Sequence, residues 1–235
     1  MREKGRVYFA PNVTFAQFFA TTDPYKIVEF YNNRIISYYF DAAETLIRAH
    51  RKEDAFAAGL ICFASIDAIA SIVIGGYSGP RFKALLREIS EFHAYGDSNI
   101  NRVYKEFRCG LVHEAKIHNA GQFTYDIKRI IELKHGIISI NPEKLLEAIR
   151  QLFYSIILEA KSDIYNARNF SRKVKKRFKA DVEFIKDKLC QNCGGTGTDP
   201  NTEQVCEYCD GSGYDPEGRY DNELERADDA SHLSN

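Results

Sequence analysis

An excess of either charge is missing from this 235-residue chain, in which 32 Lys and Arg stand against 33 Asp and Glu. That balance excludes a surface that attracts polyanions over its whole extent, so any nucleic-acid contact must be local. An apolar leader is missing as well. The residues after Met1 are charged and then mixed, which excludes a signal peptide and predicts a cytoplasmic protein. Cysteine is scarce and unevenly spread, with Cys62 and Cys109 isolated and Cys190, Cys193, Cys206 and Cys209 clustered. This distribution argues against a disulfide framework and for a metal in a reducing compartment. What the chain does have is ordinary hydrophobic content with abundant Phe and Tyr, enough for one good core plus an appendage.

Residues 1–22 read as an extended N-terminal segment, with a short strand at Val7-Tyr8-Phe9 stopped by Pro11 and apolar anchors at Phe15, Phe18 and Phe19. Asp23-Pro24 is a helix start, a capping carboxylate followed by a proline at the first helical position. Apolar residues then recur at Ile27, Phe30, Tyr31, Ile35, Tyr38, Ala42 and Leu46, which predicts one helix to about Arg48. From Asp54 to Ile74 the chain is apolar almost all round, and its only charge after Asp54 is Asp67. The length would also suit a membrane span. Its Ala and Ser content and its internal carboxylate favour a central bundle helix. A carboxylate buried there needs a cation or a set of donors, for which Arg108 is the expected partner; the alternative is a hydroxyl or solvent at a helix edge.

Gly75-Gly76-Tyr77-Ser78-Gly79-Pro80 is a turn. It lacks both the Lys-Ser/Thr and the preceding strand of a phosphate loop, so that reading is set aside. Phe82, Leu85, Leu86, Ile89 and Phe92 predict a third helix broken at Gly96, and Asp97 or Ser98 caps a fourth running through Val103, Phe107 and Leu111 to His113. After Gly121 the period changes. Phe123-Thr124-Tyr125, Ile130 to Leu133 and Ile137 to Ile140 predict short strands, with His135-Gly136 as a hairpin turn. Asn141-Pro142-Glu143 opens a long closing helix.

Two further stretches carry chemistry. Arg168, Arg172, Lys173, Lys175, Lys176, Arg177 and Lys179 form a basic run without an acid, interleaved by Phe170 and Phe178. Such a run could track a phosphate backbone, or it could be a solvated helix face that docks the acidic C-terminal tail. Cys190-x-x-Cys193-x-Gly195-x-Gly197 is repeated sixteen residues later as Cys206-x-x-Cys209-x-Gly211-x-Gly213. Two thiolate pairs on glycine-rich knuckles suit a closed tetrahedral zinc site, with iron a weaker fit. The repeat resembles the zinc module of DnaJ-type chaperones, with two of that family's usual four repeats and without the His-Pro-Asp of a J domain.

Arg followed by His after four to six residues occurs at Arg87/His93, Arg108/His113, Arg129/His135 and Arg226/His232. Only Arg108/His113 follows an apolar helix with one internal acid and has Tyr104 one turn before it. That order resembles the HEPN superfamily, helical bundles of which many are metal-independent ribonucleases. The resemblance covers roughly residues 23–165 and implies a HEPN-like helical bundle; with the strands read after Gly121 and the cysteine repeat, the expected fold is mainly α, that bundle with a small β-hairpin insertion followed by a small zinc-knuckle module. The resemblance implies that His113 moves protons, Arg108 holds the scissile phosphate, Asp67 orients Arg108 and Tyr104 lines the cleft, with no metal at the catalytic site. It also implies a composite site in a homodimer, RNA as substrate, a toxin or antiviral-defence role with an antitoxin or other protein partner, and no membrane. One departure is Cys109-Gly110 after the Arg, where active members commonly carry a polar residue, which leaves open a non-catalytic module that binds RNA or protein.

The expected division is thus an extension at 1–22, a bundle at 23–168, a basic helix or linker at 169–189, a four-cysteine zinc module at 190–214 and an acidic tail at 215–235.

Overall fold

The computed structural model describes residues 7–49, 51–111, 116–186, 189–199, 201–211 and 213. The acidic tail and His113 lie outside the described residues. The chain is predominantly helical, with small sheets, and divides into two compact units, residues 23–177 and residues 1–22 with 178–235. The basic run therefore spans both, Arg168 to Arg177 in the larger unit and Lys179 in the smaller.

In the larger unit, α2 (Pro24–Ile35) begins at an Asp23 cap whose carboxylate accepts from the Tyr25 and Lys26 amides. A π turn (Ile36–Phe40) joins it directly to α3 (Asp41–Ala49). The residues buried along this rod are Ile27, Val28, Tyr31, Ile35, Phe40, Ala43 and Ile47. A regular 3.6 period puts Tyr38, Ala42 and Leu46 inward instead. The π turn inserts a five-residue step between Ile35 and Phe40, and everything after it rotates to a new phase.

The apolar helix α4 (Asp54–Val73) occupies the centre, with α3, α5 (Ser78–Arg87), α7 (Pro142–Lys161) and α8 (Ile164–Arg177) packed on it. Among the described residues it is the one helix long and apolar enough to cross a membrane. Ala55, Ala58, Cys62, Phe63, Ile66, Ile69 and Ala70 are all buried inside the bundle. Tyr31 is buried against it, and its hydroxyl donates to the Ala68 carbonyl at 3.0 Å. Burial raises the Tyr31 phenol well above its ordinary pKa, so it stays a donor.

Helix α6 (Ser90–Val103) is kinked at Gly96, whose φ of 76° lies in the left-handed region that glycine tolerates. It runs into a second π turn, Tyr104–Cys109. The strand-forming region makes a three-stranded sheet in the order β3 (Gln122–Phe123), β5 (Ile137–Ile140), β4 (Ile131–Lys134). Strands β4 and β5 form an antiparallel hairpin, and β3 lies parallel to β5. His135 and Gly136 occupy the turn with φ of 51° and 79°, the pair of positive values that a type I′ hairpin turn requires. Arg102 holds this turn by donating to the Gly136 carbonyl at 2.8 Å. Asn141 caps α7 by accepting from the Glu143 and Lys144 amides.

The smaller unit opens with a hairpin, β1 (Tyr8–Ala10) and β2 (Val13–Thr14), followed by α1 (Phe15–Ala20). Helix α1 replaces the extended chain expected here. Its signal was Thr14-x-x-Gln17, which forms a reciprocal capping box. Phe9 stacks on Phe18 at 3.8 Å between centroids and meets Phe178 edge-on at 5.0 Å, which ties this segment to the chain entering α9 (Lys179–Lys186).

The packing of α4 on the sheet supplies a test. A Cβ added at Gly59 would come within 2.5 Å of the Phe123 ring, which is itself packed against Phe56, Phe63 and Phe107. Alanine gains about 1 kcal/mol in helix propensity over glycine, while overpacking costs about 1–3 kcal/mol. Gly59→Ala is expected to lower stability by about 1 kcal/mol in urea unfolding, the reverse of what propensity alone gives.

Candidate functional site

The residues that carry the site lie on three elements of the larger unit. Asp67 projects from the central helix α4, Ser78 and Arg81 from the first turn of α5, and Tyr104 and Arg108 from the second π turn. Arg108 Nη2 donates to Asp67 Oδ2 at 2.8 Å, the pairing that the internal carboxylate of α4 called for. Arg81 makes a second claim on the same carboxylate, donating from Nε at 3.2 Å and Nη2 at 3.0 Å to Oδ1. The Ser78 hydroxyl lies 3.4 Å from Oδ1. Two guanidiniums thus share one carboxylate, and the three side chains together carry a net charge of +1. Their side chains are 16% exposed for each arginine and 21% for Asp67, so the excess charge is partly desolvated.

Tyr104 shapes the approach to Arg108. The Arg108 guanidinium lies 6.0 Å from the centre of the Tyr104 ring, and Lys83 Nζ lies 5.7 Å from it. Burial and the neighbouring Cys109 push the Tyr104 phenol upward against the opposing pull of Arg108. At neutral pH Tyr104 is therefore a hydrogen-bond donor and not a base. Burial works against the charge on Arg108, but the hydrogen bond and charge of Asp67 outweigh it and raise its pKa. The guanidinium stays fixed and cationic.

Glu106 and Gly110, two residues to either side of Arg108, are structural. Glu106 is buried and accepts from Arg102 at 2.8 Å and from Asn119 at 3.1 Å. Its carbonyl accepts from the His118 amide, and a Cβ at Gly110 would approach the His118 ring to 2.8 Å. Gly110 therefore lets His118 lie against the π turn, a proximity that sequence spacing did not reveal. Arg81 and Ser78 were missed for a similar reason, because they belong to a turn that reads only as a breaker. In the basic run, Arg168, Arg172, Lys173, Lys176 and Arg177 are exposed on α8, Lys179 is exposed on α9, and Lys175 is half-buried with its pKa lowered by burial. Lys173 Nζ donates to the Val73 carbonyl at the end of α4, at 3.1 Å.

The four clustered cysteines converge. Their sulfurs lie within 4.8 Å of one another and all four are buried. Cys190 and Cys206 Sγ are 3.9 Å apart, and Cys193 and Cys209 Sγ are 3.7 Å apart. A tetrahedron with metal–sulfur bonds of about 2.3 Å has edges of about 3.8 Å, so the donor set can hold one metal ion. The two repeats are related by an approximate two-fold axis. The Cys190 amide donates to the Gly213 carbonyl and the Cys206 amide to the Gly197 carbonyl, each at 3.0 Å. Gly197 and Gly213 donate to Cys193 Sγ and Cys209 Sγ, each at 3.3 Å. A Cβ on either glycine would fall 2.4 Å from a carbonyl oxygen of the other repeat, so no other residue fits. Asp199 closes the turn between the repeats by accepting from the Asn201 and Thr202 amides.

No family model, curated protein or solved structure matches this chain.

Asp67→Ala leaves two partly buried guanidiniums facing each other. It is expected to cost about 1–3 kcal/mol in urea unfolding, less than a fully buried pair because solvent reaches part of the cluster. The purified protein is expected to carry one metal ion per chain by elemental analysis, and Cys206→Ser to lose it, with release favoured as pH falls because the ligands must be thiolates.

Proposed function

We propose that this protein is a metal-independent endoribonuclease of the toxin or defence type, acting at a composite site in a homodimer. The observation that supports it best is the partly desolvated cluster in which Asp67 orients Arg108 beside Tyr104. RNA brings its own nucleophile, the 2′-hydroxyl, so the protein must supply a base, an acid and positive charge at the phosphorus. In this reading His113 takes the 2′-hydroxyl proton as that oxygen bonds to phosphorus. The bond from phosphorus to the 5′-oxygen breaks, and the leaving oxygen gains a proton from the second copy of His113. Arg108 neutralises the equatorial oxygens. The products are a 2′,3′-cyclic phosphate and a 5′-hydroxyl. Two copies across a two-fold axis provide the two proton-transfer groups that a single imidazole cannot offer at once.

The four cysteines are proposed to bind zinc as a closed structural site, leaving no coordination position for chemistry. The module and the basic run, Arg168 to Lys179, engage RNA or a protein partner. A second reading, a non-catalytic interaction module, is favoured by the small exposure of Arg108 and by Cys109-Gly110 following it.

The test is incubation of the wild type, Arg108→Ala and His113→Ala with labelled total RNA in excess EDTA. The expected outcome is cleavage by the wild type alone, leaving cyclic phosphate and 5′-hydroxyl ends, with each variant reduced by at least about a hundredfold. Intact RNA with a folded wild type would replace this reading with the interaction module.

A further inference from the structure

The turn between α4 and α5 carries a feature that the cleavage reading leaves unused. Tyr77 is 88% exposed, far more than the other aromatic side chains around the cluster, and Ile74 beside it is 45% exposed. An exposed tyrosine on a surface loop is ordinary by itself; its setting gives it meaning. On one side, Arg81 donates from Nη1 to the Gly76 carbonyl at 3.0 Å while its other nitrogens hold Asp67. The residue that shares the carboxylate with Arg108 therefore also pins the backbone one residue before Tyr77. On the other side, Lys173 of α8 holds the Val73 carbonyl at 3.1 Å. Lys176 and Arg177 follow on the same flank of α8, three and four residues on, and both are exposed.

The chain segments that flank this turn and hold it are basic. Residues 68–87 contain Arg81, Lys83 and Arg87 and no acid, and residues 164–180 contain the whole basic run and no acid. From Asp67 to Val73 the helix rises about 9 Å, and the turn that carries Tyr77 is bracketed by the Lys173 bond to Val73 on one side and the Arg81 bond to Gly76 on the other.

We infer that Tyr77 is a stacking platform for an unpaired base, set midway on a cationic path that runs from Arg108 and Arg81 to Lys173, Lys176 and Arg177 and takes single-stranded RNA. The chemistry selects a single strand. Basic side chains hold the phosphates whatever the sequence, whereas a projecting ring gains contact only with a base that is free to leave its stack. Duplex RNA offers the charges but not the base faces. This inference rests on the ribonuclease reading for the choice of RNA, yet binding and cleavage are measured separately.

The experiment uses the full-length protein and fluorescein-labelled 2′-O-methyl oligouridine, which has no free 2′-hydroxyl to be cut, read by fluorescence anisotropy beside a duplex of equal length. Tyr77→Ala is expected to weaken single-strand binding by about tenfold, Tyr77→Phe to keep it, and duplex binding to change little in either. Lys176→Gln is expected to reduce the slope of log affinity against log salt by about 0.7, while Tyr77→Ala leaves that slope unchanged. Wild-type affinity in Tyr77→Ala, a Phe variant as weak as the Ala variant, or a wild type that does not bind the single strand or prefers the duplex would each overturn the inference. Cleavage of total RNA with Tyr77-independent binding sinks this path and leaves the ribonuclease; Tyr77-dependent binding without cleavage does the reverse.

Discussion

A carboxylate in the middle of an apolar helix is the constraint on which the site depends. Asp67 sits on α4, whose neighbours are Ala, Ile and Phe and which four other helices cover. Removing its charge from water without compensation would cost several kcal/mol. The bundle offsets this by bringing two guanidiniums from two different elements onto the carboxylate, Arg81 on Oδ1 and Arg108 on Oδ2. This arrangement fixes more than Asp67. It sets the rotation of α5 through Arg81, the position of the π turn through Arg108, and the path of the Gly75–Tyr77 turn through the Arg81 bond to Gly76.

Much of this was legible in the sequence, and where it was not the cause is specific. Asp23-Pro24 and Asn141-Pro142 announced helix starts because capping is chemistry of adjacent residues. His135-Gly136 announced a hairpin because only certain residues accept positive φ. The pairing of Asp67 with Arg108 followed from the cost of an unpaired charge. The inward face of α3 was misphased because a π turn is set by packing and leaves no mark in residue type. Arg81 was invisible for a different reason: nothing in a glycine-rich turn says that the arginine after it bends back to the helix before it.

The two π turns serve different ends. The first, at Ile36–Phe40, brings Phe40 into the core against Phe153 at 5.6 Å between centroids. The second, at Tyr104–Cys109, keeps Phe107 in the core and also leaves Arg108 beside Tyr104 at the rim. A regular helix would have to choose between these faces. Widening the turn lets one short segment serve packing and charge together.

The exchange of hydrogen bonds between the two cysteine repeats has a consequence for how such a module responds to change. Each repeat supplies half of the sulfurs, and each anchors its first cysteine on a glycine carbonyl of the other. Each half keeps bonds of its own, from Gly197 to Cys193 Sγ and from Gly213 to Cys209 Sγ, but the amide of its first cysteine finds its acceptor only in the other half. The pair, rather than the single repeat, is therefore the unit that completes both the backbone bonds and the four-sulfur donor set, and a change that displaces one repeat takes the anchor of the other with it.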